Sequence, residues 1–142
     1  MQIRVTIEDS GVKDALLRLG ERTGNLTPVM KVIGRIVRDS VIRNFEQGGR
    51  PSKWTPSKYA AREGRKTLIK SSRLMASITS KAYGDRAEIG TNVVYAAIHQ
   101  MGGRAGRGGK AKIPARPFLM VQDEDWTEIG RQLAEYITGG RT

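Results

Sequence analysis

One stretch, residues 93–119, limits the fold of this chain more than any other, because it changes character twice within 27 residues. It opens with apolar residues at helical spacing over Val93–Met101, preceded by Asn92, a residue type that caps helices. Gly102 and Gly103 follow, and glycine ends helices because it enters the left-handed backbone region without steric cost. The pattern predicts a short helix that stops at this glycine pair.

The two segments after the glycine pair are unsuited to a helix. Residues 104–112 contain glycine and basic residues but nothing apolar larger than alanine. They predict a mobile loop, since such a segment cannot bury enough surface to fix itself. Residues 113–119 contain Pro114 and Pro117, and each proline drives its predecessor out of the helical region. This last segment is therefore predicted to be an extended strap or an edge strand.

Several short motifs between Trp54 and Leu119 follow one another in a recognisable order. They are Trp54, TLIKSSRL at 67–74, Ser77-Ile78, AEIG at 87–90, Tyr95-Ala96, IHQMG at 98–102 and IPARPFL at 113–119. In this order, with a glycine-rich basic loop before the last motif, they resemble the phage virion morphogenesis or tail completion family of Mu-like and P2-like bacteriophages. Ser72 stands where that family's pattern has glycine.

The resemblance implies a structural virion protein and not an enzyme. Such a protein would belong to the phage tail or neck, where it completes the tail and joins it to the DNA-filled head. The resemblance also implies a ring-forming homo-oligomer, with other tail or neck proteins as neighbours and passing DNA in contact with any basic groups that face the lumen. We also expect synthesis in the host cytoplasm, no cofactor and no small-molecule substrate.

Basic charge is concentrated in two segments of the chain. Residues 50–73 carry eight basic groups against Glu63 alone, and residues 102–116 carry five with no acid. The two segments together carry a formal charge of +12. The whole chain carries +11, so all residues outside the two segments sum to −1. Such segments attract polyanions through counterion release or meet an acidic protein surface. The candidate contacts to another copy or to DNA in the lumen are Arg50, Lys53, Trp54, Lys58, Arg62, Arg65, Lys66, Arg104, Arg107, Lys110, Lys112 and Arg116.

An alternative interpretation of the same segments is a sequence-nonspecific nucleic-acid-binding module. No helix-turn-helix, zinc-finger or RNA-recognition signature accompanies them. Trp54 and Tyr59 are too few for a base-stacking platform. Solvated charge without a partner explains the pattern equally well, and Trp54 then simply plugs the edge of the core. A steep salt dependence of binding to random duplex DNA would favour the module.

Catalytic and cofactor patterns are weak. His99 is the only histidine and cysteine is absent, which excludes cysteine zinc sites and multi-histidine metal sites within one chain. No G-x-S-x-G motif marks a nucleophilic serine, so His99 is expected to be structural and to hydrogen-bond the following loop or a neighbour. The glycine-rich loop does not match a phosphate-binding P-loop, because Ala111 follows Lys110 where a P-loop needs serine or threonine. GRGGKA at 106–111 follows a helix and precedes a proline-rich strand, the wrong order for a dinucleotide fold.

The remaining periodicities complete the predicted architecture. The predicted elements are a strand at Gln2–Glu8, a helix from Asp9 or Ser10 to near Gly20, a long helix from Thr27 to Gly48-Gly49, a loop at Arg50–Lys66 with a helical turn near Ala60-Ala61, a short helix at Arg73–Ser80, a hairpin turning at Gly84-Asp85, and a last helix from Gln122 or Asp123 to Gly139. We expect an α+β fold in a single domain, residues 1–142. A small mainly antiparallel sheet would be packed by helices on one face, the long helix foremost, with long basic loops.

No membrane-spanning run or signal-peptide pattern is present, so a soluble protein without a membrane partner is expected.

Overall fold

A computed structural model describes residues 10–23, 26–64, 66–68 and 72–137; the predicted strand at Gln2–Glu8 lies outside them. The helices are α1 (Ser10–Thr23), α2 (Thr27–Gln47), α3 (Lys58–Glu63), α4 (Arg73–Ala76), α5 (Ala96–Met101) and α6 (Asp123–Ile137). The strands are β1 (Thr79–Ala82), β2 (Ala87–Gly90), β3 (Gly103–Ala105) and β4 (Ala111–Ile113). The α+β class is confirmed. In the described part of the chain the strands form two separate two-stranded sheets, β1–β2 and β3–β4. None of the described helices is long and apolar enough to cross a membrane.

The long predicted helix is confirmed as α2. It starts at Thr27 with proline in its first turn, and it ends at Gln47 before two glycines in the positive-φ region. The backbone N–H of Gly49 turns back to donate to the carbonyl of Asn44 at 2.8 Å. The buried residues Val37 and Val41 lie on its apolar stripe, as the 3.6-residue periodicity predicts.

The chain contacts group into two compact units. We call one the basic unit; its described part is residues 41–64, 66–68, 72–79 and 90–120. The other, the helical unit, contains α1, residues 27–40 of α2, the turn between β1 and β2, and α6. Both units combine segments that are distant in sequence, and the single domain stays a prediction.

Two helices pack together in the helical unit. α1 lies against α6, and Leu19, Ile129 and Leu133 are almost fully buried. The start of α6 is fixed by Asp125, whose Oδ2 accepts the backbone N–H of Gln122 at 2.8 Å and the hydroxyl of Ser40 at 2.5 Å. The bond to Gln122 is the side-chain-to-backbone half of a capping box, so the predicted start of this helix is confirmed.

The predicted hairpin at Gly84-Asp85 is also confirmed. The backbone N–H of Tyr83 donates to the carbonyl of Arg86 at 2.8 Å across the turn between β1 and β2. α2 approaches this hairpin closely at Gly34, where an added Cβ would lie 3.3 Å from the Cβ of Ser80 and 3.6 Å from that of Ala87. The expectation that the long helix packs on strands is therefore confirmed for this sheet.

The prediction that residues 104–112 lack regular structure is wrong. Strands β3 and β4 pair antiparallel, with Arg104 opposite Lys112 and Ala105 opposite Ala111. A short 3-10 turn at Arg107–Gly109 closes the hairpin. Since backbone hydrogen bonds hold two strands without apolar side chains, composition alone did not reveal this pairing.

Other element boundaries differ from prediction. α4 ends at Ala76, and Ser80 already belongs to β1. Asn92 caps no helix, because α5 begins only at Ala96; the hydroxyl oxygen of Thr91 accepts the N–H of Val93 at 3.1 Å instead. Ser72, at the position where the family pattern has glycine, has a φ of 58°. The serine adopts the left-handed geometry that glycine favours.

Candidate interaction surface

Residues 114–119, the strap, are held to the rest of the basic unit by side chains. Gln100 on α5 makes three of these bonds: its Oε1 accepts the backbone N–H groups of Phe118 at 3.1 Å and Leu119 at 3.0 Å, and its Nε2 donates to the carbonyl of Leu119 at 3.2 Å. A single amide side chain thus takes the place of a neighbouring strand for two consecutive residues. The strap contains no helix, in line with its two prolines, but this anchor is not visible in the sequence.

The end of α2 holds the other side of the strap. Asn44 is fully buried, and its Nδ2 donates to the carbonyl of Phe118 at 2.8 Å while its Oδ1 accepts from Nε of Arg50 at 2.9 Å. The ring of Phe45 lies 5.1 Å from that of Phe118 and 5.9 Å from that of Trp54, the latter edge-on. The strap is therefore fixed by both hydrogen bonds and aromatic packing.

Two of the candidate contact residues are internal. Trp54 is 8% exposed and donates from Nε1 to the carbonyl of Pro117 at 3.2 Å, so it plugs the core. Arg116 is 5% exposed and donates from Nε to the carbonyl of Thr55 at 2.8 Å. Burial lowers the pKa of Arg116. These two bonds tie the loop after α2 to the strap, which brings the two basic segments together in one unit.

The other candidates that the structure describes sit at or near the surface of the basic unit. Lys53 donates to the carbonyl of Gln47, and Arg62 pairs with Glu63 at 3.4 Å in a solvent-exposed contact. Arg50 is half-buried, and Arg65 lies outside the described residues. The exposed candidates are Lys53, Lys58, Arg62, Lys66, Arg104, Arg107, Lys110 and Lys112.

The charge of the molecule follows the division into units. Residues 41–79 and 90–120 contain fourteen basic and two acidic residues, a formal net charge of +12, which leaves −1 for the rest of the chain. No acid occurs anywhere in residues 89–122. The basic unit therefore presents a strong cationic field to solvent.

His99 belongs to the same unit, and its ring is partly buried there. Its Nδ1 is buried and has no hydrogen-bond partner among the residues that the structure describes. Its carbonyl accepts the N–H of Arg116 at 2.7 Å, and its ring stands edge-on to Tyr95 at 5.8 Å. Burial, and then the positive charge of Arg116, lower the pKa of His99. The expected side-chain hydrogen bond to the following loop is not formed at Nδ1.

Exposed apolar side chains lie just before α5 and at its last residue. Four large apolar side chains are exposed among the described residues, and three of them lie within eight positions: Val94 at 75%, Tyr95 at 38% and Met101 at 63%. We call these three the α5 patch. The guanidinium of Arg73 lies 5.7 Å from the centre of the Tyr95 ring.

A family model and a curated relative both connect this chain with phage proteins. The model of the phage virion morphogenesis family matches residues 7–138. The "Mu-like prophage FluMu G protein 2" of Haemophilus influenzae is 44% identical over 126 residues, which cover 89% of this chain and 88% of that protein. An uncharacterized protein of Methanocaldococcus jannaschii is 33% identical over 96 residues, covering 58% of this chain and 64% of that protein. No solved structure matches the chain significantly.

Proposed function

Because the chain belongs to the phage virion morphogenesis family, it is a structural protein of phage morphogenesis, and we propose that it completes the tail and joins it to the head. In this proposal the protein acts as a ring-forming homo-oligomer at the tail end or neck of the virion. Its neighbours there are copies of itself and other tail or neck proteins.

The observation that carries this proposal is the α5 patch. Interface cores are enriched in aromatic residues and methionine and depleted of charge, and a few such residues supply most of the binding energy. Tyr95 and Met101 are of the enriched types, Val94 is an uncharged apolar neighbour in sequence, and all three are exposed. We assign a second copy of the chain as the partner that covers them.

Repulsion between like-charged copies explains why the contact between two copies has to be apolar. The basic unit carries a net +12 over residues 41–79 and 90–120, so copies of it repel one another at low salt. An apolar contact gains free energy in proportion to the area removed from water and does not depend on charge. A head-to-tail contact of this kind closes into a ring when its rotation divides the circle evenly.

The test is a double variant, Val94→Ser with Met101→Ser, compared with Leu17→Ser. Leu17 is 58% exposed and lies on α1 in the helical unit, so it controls for the loss of an exposed apolar side chain. The patch variant is expected to lose rings in negative-stain images and by sedimentation. Its unfolding free energy should stay within about 1 kcal/mol of wild type, because surface substitutions rarely do more. Rings formed equally by the patch variant and the control would contradict the proposal.

A further inference from the structure

The β3–β4 hairpin, residues 103–113, concentrates unpaired positive charge on a narrow ribbon. Arg104, Arg107, Lys110 and Lys112 are all exposed. None of the four forms an ion pair within the described residues, where the nearest acids in sequence are Glu88 and Asp123. Within the described residues no acid neutralises the charge of the ribbon, and Nη1 of Arg104 donates to the carbonyl of Gly109 at 3.4 Å.

The register of the hairpin places like charges face to face. Arg104 lies directly opposite Lys112, and side chains opposite each other on one sheet have Cβ atoms about 4.5–5.5 Å apart. Two like charges at that spacing destabilise a strand pair. A bound anion between them would relieve this repulsion, so the hairpin is better suited to the bound state than to the free state.

The composition of the hairpin distinguishes between two classes of partner. A protein partner would need an apolar centre to its contact, because interface cores are poor in charge. Residues 103–112 offer glycine, alanine and cations only. Contacts to nucleic-acid phosphates, in contrast, come from lysine, arginine and backbone N–H groups. The hairpin thus matches the phosphate backbone of a nucleic acid and not an acidic protein.

The shape of the hairpin also suits a duplex. A two-stranded β-ribbon fits the major groove of B-form DNA, which is about 12 Å wide. The tip is narrow, because Gly106, Gly108 and Gly109 carry no side chains, and all three have a positive φ, between 67° and 80°. Glycine is the residue that adopts this geometry without strain.

We propose that the β3–β4 hairpin is a sequence-nonspecific binding ribbon for duplex DNA. Arg104, Arg107, Lys110 and Lys112 contact phosphates of the backbone, and the glycine tip lets the ribbon approach a groove. This inference goes beyond the proposed function and stands on separate residues, since assembly is assigned to the α5 patch.

The experiment measures binding of the full chain to a random-sequence duplex by fluorescence anisotropy over a series of salt concentrations. The test variant replaces Arg104, Arg107, Lys110 and Lys112 with serine. The control variant replaces Arg18, Lys31, Arg35 and Lys81, four exposed cations of the helical unit, so both variants lower the net charge by four. Each lost phosphate contact reduces the slope of log K against log salt by about 1.

We expect the hairpin variant to have a slope smaller in magnitude by about 3 to 4 and the control to keep that of wild type. Equal losses in both variants, or no binding by wild type, would overturn the proposal. Equal competition by polyglutamate and by duplex DNA would assign the hairpin to an acidic protein instead.

A second measurement does not depend on the folding of the variant. Hydrogen exchange of the wild-type chain with added duplex should slow at the backbone amides of residues 103–113, and unchanged exchange there would overturn the proposal. Ring formation by the hairpin variant separates the two proposals. In the hairpin variant, rings together with weakened DNA binding support the ribbon, whereas unreduced DNA binding overturns the ribbon whether or not rings form. Wild-type protein that binds DNA but forms no rings counts against the assembly role alone.

Discussion

At the scale of single residues, two adjacent glycines at the end of α2 have different roles. Gly48 and Gly49 both have a positive φ, at 72° and 109°. An added Cβ meets nothing within 4 Å at Gly48, but at Gly49 it would lie 2.7 Å from Cδ1 of Trp54 and 2.8 Å from the carbonyl oxygen of Ser52. The sequence predicts a helix end at this pair, yet only the structure shows which glycine is crowded.

This difference predicts unequal costs for two matched substitutions. Gly48→Ala introduces only the strain of a left-handed alanine, about 1–2 kcal/mol. Gly49→Ala adds a steric overlap with Trp54 and should cost at least about 2 kcal/mol more, as overpacked sites do. Urea unfolding of both variants measures the difference. Equal unfolding free energies would show that Trp54 does not pack on this turn as described.

His99 gives a pH-dependent prediction. Its pKa in the folded protein is lowered from the ordinary value of 6.5 by burial and by Arg116, so the folded protein binds the proton less readily than the unfolded chain. The stabilising effect of a neutral His99 is therefore complete above the ordinary pKa and is lost as the pH falls through 6.5 toward the lowered value.

Thermal unfolding between about pH 7.5 and 5.5 should show a decline in stability for wild type that is smaller for His99→Gln. The control is the same scan at about pH 8, where both proteins have a neutral side chain at this position and the histidine titration contributes nothing. Parallel declines in the two proteins would mean that the pKa of His99 is not lowered by folding.

At the scale of elements, the strap depends on Gln100. Gln100→Ala removes the acceptor for two backbone N–H groups and the donor to one carbonyl, all on the buried residues Phe118 and Leu119. Unsatisfied buried polar groups cost about 1–3 kcal/mol, and the variant should lose about that much. Gln132→Ala is the control, since Gln132 makes one bond, to Glu128 on the same helix. Equal, small losses for both variants in urea unfolding would show that Gln100 does not hold the strap.

Elements with strong periodicity were predictable and their anchors were not. The stripe of α2 and the acidic first turn of α6 determine those helices from sequence alone. Asn44 and Gln100 act through hydrogen bonds to residues of the strap that are distant in sequence. Asn44 bonds Phe118, 74 residues away, and Gln100 bonds Leu119, 19 residues away. No local pattern marks Gln100 as a residue that is held by such contacts. Asn44 within an apolar stripe is the one available signal.

The β3–β4 hairpin shows why composition can mislead. Its glycines and cations resemble those of a disordered segment, because the propensity argument counts side chains. The strands are held by backbone bonds with the register Gly103 opposite Ile113, and residues 114–119, directly after β4, are anchored to the rest of the basic unit. The strap therefore fixes one end of the hairpin, a constraint that no window of sequence contains.

At the scale of the whole molecule, we assign different functions to the charged surface and to the exposed apolar surface. The basic unit holds the hairpin that we assign to DNA and the α5 patch that we assign to a second copy. A ring of such units would place many cations around one axis, and the copies would repel one another unless salt or DNA screened them. Assembly is therefore expected to strengthen with ionic strength up to the physiological range, where the Debye length is about 8 Å.

The most direct test of the central claim, that this chain completes the tail and joins it to the head, is electron microscopy of lysates from a phage that lacks it. The account predicts DNA-filled heads and separate tails, few joined particles, and recovery of joined particles when purified wild-type protein is added. Addition of the Val94→Ser, Met101→Ser variant should restore few. Joined particles at wild-type frequency without the protein would contradict the account.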